Sequence, residues 1–112
     1  MRYALATDLV DDSARIALFE KAHQALWPEV REHLCTEGVL ALEIYRLGTR
    51  LFMLMEVDPA VYSAEAMAAA ALANPAVVRW NAMLEDCLLP VPGAAPNEKW
   101  APLQRIFQLD RP

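Results

Sequence analysis

Residues 39–57 read Val-Leu-Ala-Leu-Glu-Ile-Tyr-Arg-Leu-Gly-Thr-Arg-Leu-Phe-Met-Leu-Met-Glu-Val, and this stretch indicates the fold class. Two apolar, β-prone runs, Val39 to Arg46 and Arg50 to Val57, are joined by Leu47-Gly48-Thr49. A short connection containing glycine between two such runs is the typical signal of a β-hairpin. The stretch therefore predicts two adjacent antiparallel strands.

The two faces of this hairpin differ in chemistry, because successive side chains of a strand point to opposite sides. One face of the first strand carries Ala41, Glu43 and Tyr45, and the other carries Leu42 and Ile44. In the second strand, Phe52, Leu54 and Glu56 oppose Leu51, Met53, Met55 and Val57. One face is therefore wholly apolar, and the other mixes apolar groups with carboxylates and a phenol.

The residues before the hairpin predict one strand and one interrupted helix. Arg2 to Val10 alternates imperfectly and predicts a first strand. Asp11, Asp12 and Ser13 then offer an N-cap, and apolar residues recur at helical spacing until Gly38. Pro28 lies inside that helical pattern, so it must kink the helix or restart it.

The residues after the hairpin predict two helices and a last strand. Ser63 can cap an alanine-rich helix that stops at Asn74, and Asn74-Pro75 can begin the next one. Pro102 to Leu109 predicts the final strand. This order predicts one α+β domain over residues 1–112, with a ferredoxin-like antiparallel sheet and helices on one face. We expect the other face to be covered by pairing of two sheets in a homodimer.

Composition excludes several classes of function. The chain is 56% hydrophobic and 22% charged, which is typical of a globular domain with a core. A net charge of −5 with scattered basic residues argues against nucleic-acid binding. Neither a signal peptide nor a membrane-spanning segment is evident, so a cytoplasmic protein is expected. Cys35 and Cys87 are expected to be reduced and buried, and no metal-like spacing of ligands occurs.

His23 is the most informative single residue. It lies on the predicted buried stripe, one turn after Phe19 and one turn before Trp27. It is either a core histidine bonded to a carbonyl group or a general acid–base at a pocket wall, since imidazole exchanges protons near neutral pH. His33, ten residues later, is expected to face solvent.

Carboxylates and aromatic residues form a second set of candidates. Asp8, Glu43 and Glu56 lie within predicted strands, either as surface charges or as functional groups. If their face of the sheet is the uncovered one, Glu43 with Tyr45 could bind sugar hydroxyls by charge-assisted hydrogen bonds. Trp80 and Trp100 are either core residues or stacking surfaces for the flat face of a sugar.

Several short motifs, spread over nearly the whole chain, resemble the L-rhamnose mutarotase family. They are His23-x-x-x-Trp27-Pro28-Glu29, Glu43 to Gly48, Leu51-Phe52, Asn74-Pro75 with Trp80, Glu98-Lys99-Trp100 and Arg105 to Leu109. Within the family, the chain looks most like the members associated with L-fucose breakdown.

The resemblance implies a homodimeric α+β barrel that interconverts the anomers of a neutral 6-deoxy sugar, without cofactor or metal. The catalytic histidine corresponds to His23. Three sugar-contacting positions depart from the family pattern: Phe19 and Leu42 replace tyrosines, and Asn81 replaces a tryptophan beside Trp80. These changes favour L-fucose over L-rhamnose as the substrate.

An isomerase mechanism follows as a hypothesis. His23 would move one proton, Glu43 or Tyr45 the other, and Phe19, Leu42, Trp80, Asn81 and Trp100 would contact the sugar. Two alternatives remain open at this point, since fold alone does not determine function. One is a dimeric-barrel monooxygenase or haem-degrading enzyme, and the other is a non-catalytic sugar-binding module.

Overall fold

Four helices and five strands lie within residues 1–111, which the computed structural model describes. In chain order the elements are β1 (Arg2–Leu9), α1 (Ser13–Gln24), α2 (Pro28–Thr36), β2 (Val39–Leu47), β3 (Arg50–Val57), α3 (Ala64–Ala73), α4 (Pro75–Glu85), β4 (Leu88–Leu89) and β5 (Ala101–Pro102). None of these helices has the length and apolarity needed to cross a membrane.

The strands form one antiparallel sheet in the order β2-β3-β1-β4, with β5 also paired to β1. Ile44 lies opposite Met53 in the predicted hairpin, and Met53 lies opposite Leu5 of β1. The helices pack against the wholly apolar face of the hairpin. The α+β, ferredoxin-like architecture predicted from the sequence is therefore confirmed.

Capping side chains and first-turn prolines explain where α1, α2 and α4 begin. The Asp12 carboxylate accepts a hydrogen bond from the Arg15 amide at 3.0 Å, which starts α1. Trp27 is the N-cap of α2 and Pro28 is its first residue. Of the two predicted possibilities, a kink or a restart, the structure therefore shows a restart of the helix at Pro28. Asn74 ends α3 and accepts from two amides of α4, as the Asn74-Pro75 pair predicts.

The core consists of two clusters. The larger contains buried residues of both layers: Leu9, Phe19, Val30, Leu51, Trp80, Leu84, Cys87 and Leu88. The smaller lies at the other end of the hairpin around Val39, Met55 and Val57. Leu34 of α2 packs against both clusters. The space that the two clusters leave open is the cavity described below.

Three expectations were wrong. The strand predicted over Pro102 to Leu109 ends at Pro102, because within residues 1–111 no strand lies beside the later residues to pair with them. Ile106 is 92% exposed there. His33 is buried rather than solvent-facing, and Cys35 is exposed rather than buried, because α2 starts at Pro28 and sets its own buried face.

Candidate active site

A cavity of about 950 Å³ lies between the helices and the covered face of the sheet. Its walls come from all four helices, from β1 to β4 and from three connecting segments. The lining residues are Leu5, Phe19, His23, Leu26, Val30, Leu34, Leu42, Ile44, Met53, Met55, Tyr62, Met67, Trp80, Asn81, Leu84, Glu85, Leu88, Lys99 and Trp100. This volume is in the range of small-molecule sites, and most of the lining is apolar.

His23 stands at the end of α1 with a fixed ring orientation. Its Nδ1 lies 2.8 Å from the carbonyl oxygen of Phe19, one turn earlier. A carbonyl oxygen can only accept, so Nδ1 carries the proton and donates it. In the neutral ring the lone pair is then on Nε2, the nitrogen left for a ligand. The side chain remains exposed, so Nε2 is accessible.

Aromatic rings hold the imidazole from two sides. The Phe19 ring lies 4.3 Å from the His23 ring between centroids, at a tilt of 34°. The Trp80 ring approaches edge-on at 5.4 Å, and it makes a similar contact with Trp27 at 5.3 Å. Because Trp80 is only 6% exposed, the surrounding core fixes the position of its ring. The contact with this fixed ring in turn restricts the position of the His23 ring.

The structure brings the predicted substrate-contacting residues together around this histidine. Phe19, Leu42, Trp80, Asn81 and Trp100 all line the cavity that contains His23. They come from four separate parts of the chain, so their common location was not a consequence of sequence proximity. Their roles stay predictions, but their arrangement is that of a single site.

Glu43 and Tyr45 lie elsewhere. Both belong to the face of β2 that points away from the helices, whereas Leu42 and Ile44 point into the cavity. The Tyr45 hydroxyl donates to the Glu43 carboxylate at 2.6 Å, and this bond, with the charge of Glu43, raises the pKa of Tyr45. Within one chain, the structure therefore does not bring this predicted pair to His23.

The other two strand carboxylates, Asp8 and Glu56, also lie on the face of the sheet that points away from the helices. Asp8 lies opposite Arg50 and accepts from its guanidinium at 2.7 and 3.3 Å on the uncovered face. Glu56 is exposed and lies opposite Ala41 and Arg2. Neither carboxylate lines the cavity.

Sequence reasoning missed two polar residues of the site, Glu85 and Lys99. Both line the cavity with His23. The Lys99 ammonium donates to the carbonyl oxygens of Glu85 at 3.2 Å and Leu88 at 2.9 Å, and so closes the C-terminal end of α4. The signal for Glu85 was its spacing, one turn after Asn81 on the helix that carries Trp80.

Comparison with known proteins identifies the family. The sequence profile of the L-rhamnose mutarotase family matches residues 2–109. The chain belongs to the L-rhamnose mutarotase family. Membership confirms the resemblance drawn from the motifs around His23, Glu43 and Trp100. It also makes the chain an isomerase of a class that acts on carbohydrates.

Two relatives span most of the chain. An L-fucose mutarotase from Xanthomonas campestris pv. campestris is 41% identical over 110 residues, covering 96% of this chain and 87% of its own. A UPF0734 protein from Dictyostelium discoideum is 31% identical over 115 residues, covering 96% and 89%. The similarity to both is thus one of whole domains.

Two solved structures share the fold. The L-rhamnose mutarotase of Formosa agariphila superposes with a TM-score of 0.68 at 20% identity, covering 98% of this chain and 99% of its own. Tetracenomycin F2 cyclase of Streptomyces glaucescens, a type-II polyketide cyclase, gives 0.62 at 16% identity, covering 100% and 99%. One architecture therefore carries two different chemistries, so the fold alone does not determine which reaction a protein of this shape performs.

Proposed function

We propose that this protein is a mutarotase that interconverts the α and β anomers of a neutral 6-deoxy-hexose, with L-fucose preferred over L-rhamnose. The observation that carries the proposal is the cavity around His23, in which an oriented imidazole meets an aromatic wall. Family membership supports the reaction type. No cofactor or metal enters the proposed reaction.

His23 Nε2 would act as the base that opens the sugar ring. It takes the proton of the anomeric hydroxyl, while the Nδ1 bond to the Phe19 carbonyl stabilises the imidazolium that forms. The C1–O5 bond breaks, O5 receives a proton, and an aldehyde results. Because O1 and O5 are bonded to the same carbon, the imidazolium can return the same proton to O5.

Rotation about C1–C2 and reclosure by the reverse steps then give the other anomer. His23 returns to its starting protonation state, so atoms and charges balance without a second residue. This replaces the predicted partnership with Glu43 or Tyr45, which lie on the opposite face of the sheet. Positioned proton transfer of this kind contributes roughly 10²–10⁴-fold in rate.

The aromatic and apolar walls suit a 6-deoxy sugar. Trp80, Trp100 and Phe19 line the cavity with apolar aromatic atoms, which suit the C–H groups and the methyl group of such a sugar. Phe19 and Leu42 provide no hydroxyl where the family carries tyrosines, which removes contacts expected for L-rhamnose. The L-fucose mutarotase at 41% identity supports the same preference.

Saturation-transfer NMR tests the substrate. With L-fucose and L-rhamnose at equal concentration, the wild-type protein should accelerate exchange of the fucose anomers more strongly than exchange of the rhamnose anomers. Equal or greater acceleration for L-rhamnose would contradict the fucose preference but not the mutarotase activity. No acceleration for any 6-deoxy sugar or aldohexose would contradict the function itself.

A homodimer in the cytoplasm completes the proposal. The uncovered sheet face exposes Tyr45, Phe52 and Leu54, an apolar patch that pairing with a second copy would bury. Ile106 and Phe107 of the C-terminal segment are also exposed. The free thiols of Cys35 and Cys87 support a reducing compartment.

A further inference from the structure

The polar groups of the cavity are few, and those of Asn81 and Glu85 are among the ones without a protein partner within residues 1–111. His23 uses Nδ1 on the Phe19 carbonyl, and Lys99 uses its ammonium on two carbonyl oxygens. The side chains of Asn81 and Glu85 line the same cavity without a hydrogen bond to described residues. Both are exposed, so both are available to a ligand.

Asn81 and Glu85 lie on one face of α4, because residues four apart are neighbours on a helix surface. Trp80 and Leu84, which precede them, are buried and fix that face against the core. The amide and the carboxylate therefore form a polar strip beside the indole of Trp80.

The strip begins next to Trp80, whose ring contacts His23, and it lines the same cavity. The Trp80 ring is 5.4 Å from the His23 ring. Glu85 follows Trp80 by five residues, a rise of about 7.5 Å along the helix axis. A pyranose whose anomeric carbon is at His23 Nε2 would extend its far side, the C4 side, along α4 toward Glu85.

The connector after β4 helps to hold this end of the cavity. Lys99 bonds the carbonyl oxygens of Glu85 and Leu88, and the next residue, Trp100, lines the cavity. The last turn of α4 and the Trp100 wall are thus tied together. Glu85 is placed on a fixed backbone rather than on a free helix end.

We propose that Glu85, with Asn81 beside it, determines sugar specificity by accepting a hydrogen bond from the C4 hydroxyl. L-Fucose and L-rhamnose differ in configuration at C2 and C4, so a carboxylate aimed at one C4 position discriminates between them. A site that bonds a hydroxyl rejects an analogue that leaves its group unpaired. This inference rests on the proposed mutarotase function.

The experiment combines Glu85→Gln with deoxy sugars, and anomer exchange is measured by saturation-transfer NMR. Glu85→Gln should lower kcat/KM for L-fucose by about 10- to 100-fold, mainly through KM, because a charge-assisted hydrogen bond is lost. The loss should persist with 2-deoxy-L-fucose, which keeps the C4 hydroxyl. It should fall below about 3-fold with 4-deoxy-L-fucose, because the partner of the Glu85 carboxylate is then already absent, as in a double-mutant cycle. Glu32→Gln, at an exposed glutamate on α2, is the matched control and should retain wild-type rates.

Two results would overturn the proposal. One is a wild-type rate of Glu85→Gln on L-fucose, and the other is an equal loss on all three sugars, which would indicate a structural role. If the wild-type protein accelerates exchange and either result is found, the specificity proposal alone fails. If the wild-type protein does not accelerate exchange, the proposed function fails instead.

Discussion

The Nδ1 atom of His23 lies 2.8 Å from the carbonyl oxygen of Phe19, one turn earlier on α1. This single bond assigns the two ring nitrogens different tasks, since the one that donates to the backbone is not available to the substrate. The Phe19 ring adds a contact at 4.3 Å that limits rotation of the imidazole. Phe19 thus orients the His23 imidazole through both its backbone and its side chain.

Phe19→Tyr should shift the substrate preference toward L-rhamnose. The phenyl ring faces the cavity, and the family resemblance places a rhamnose-contacting tyrosine at this position. A restored hydroxyl should raise the ratio of rhamnose to fucose exchange rates by about 10-fold, roughly the value of one hydrogen bond. The fucose rate on the same sample is the internal control, and an unchanged ratio would contradict the assignment of Phe19.

Trp80→Ala should cost about 3–5 kcal/mol of unfolding free energy, since it empties a buried aromatic site. Trp80→Phe should cost less and retain most of the activity, because a ring still contacts His23 and Trp27. Urea unfolding measures the difference. A loss below about 1 kcal/mol for the alanine variant would mean that Trp80 is not part of the core.

Stability should fall in alkaline solution. Burial raises the pKa of the Cys87 thiol above its ordinary 9.0 and that of the Tyr62 phenol above 10.0. The folded protein therefore keeps these protons to higher pH than the unfolded chain does, so their contribution is complete below the ordinary values and is lost as pH rises through the raised ones. Urea midpoints at pH 7.5, 9 and 10 measure the decline.

Cys87→Ala is the control for that decline. Removing the thiol should reduce the drop in the unfolding free energy over the range in which a thiol titrates. An equal or larger drop in the variant would show that Cys87 does not contribute to it.

Leu54→Lys should weaken the proposed homodimer. Leu54 is 40% exposed on the uncovered sheet face, and Glu43 lies opposite it on β2, so a lysine is tolerated in the single chain. In the dimer the lysine would lose its water between two sheets, and the attraction of one carboxylate does not offset that desolvation cost. Sedimentation velocity should show dimers for the wild-type protein and for Leu72→Lys on exposed α3, and monomers for Leu54→Lys. A monomeric wild type would contradict the proposal.

Alternation in the sequence predicted which hairpin residues share a face, and Leu42 and Ile44 are indeed together at the cavity. Alternation does not say which face the helices cover. A carboxylate and a phenol on one face suggested a sugar site, but the sequence did not show that Glu43 and Tyr45 lie on the face of the sheet opposite His23. Only the path of α1 and α4 across the sheet decides this.

Helical spacing predicted part of the surroundings of His23, because that part is set by local geometry. Phe19, His23 and Trp27 are four residues apart, and local geometry alone brings the first two together. Glu85 was missed because an exposed glutamate in a helix is usually a solvated charge. Its role depends on the tertiary packing of Trp80 against His23, which no local pattern encodes.

Anomer exchange of L-fucose in wild type and His23→Asn tests the central claim most directly. The asparagine variant should lose about 10²–10⁴-fold in rate, the value of positioned proton transfer, while its free energy of unfolding stays within about 1 kcal/mol of the wild-type value. His33→Asn, at the other histidine of the chain and outside the cavity lining, should keep the wild-type rate. A His23→Asn protein that exchanges L-fucose anomers as fast as the wild type would contradict the account.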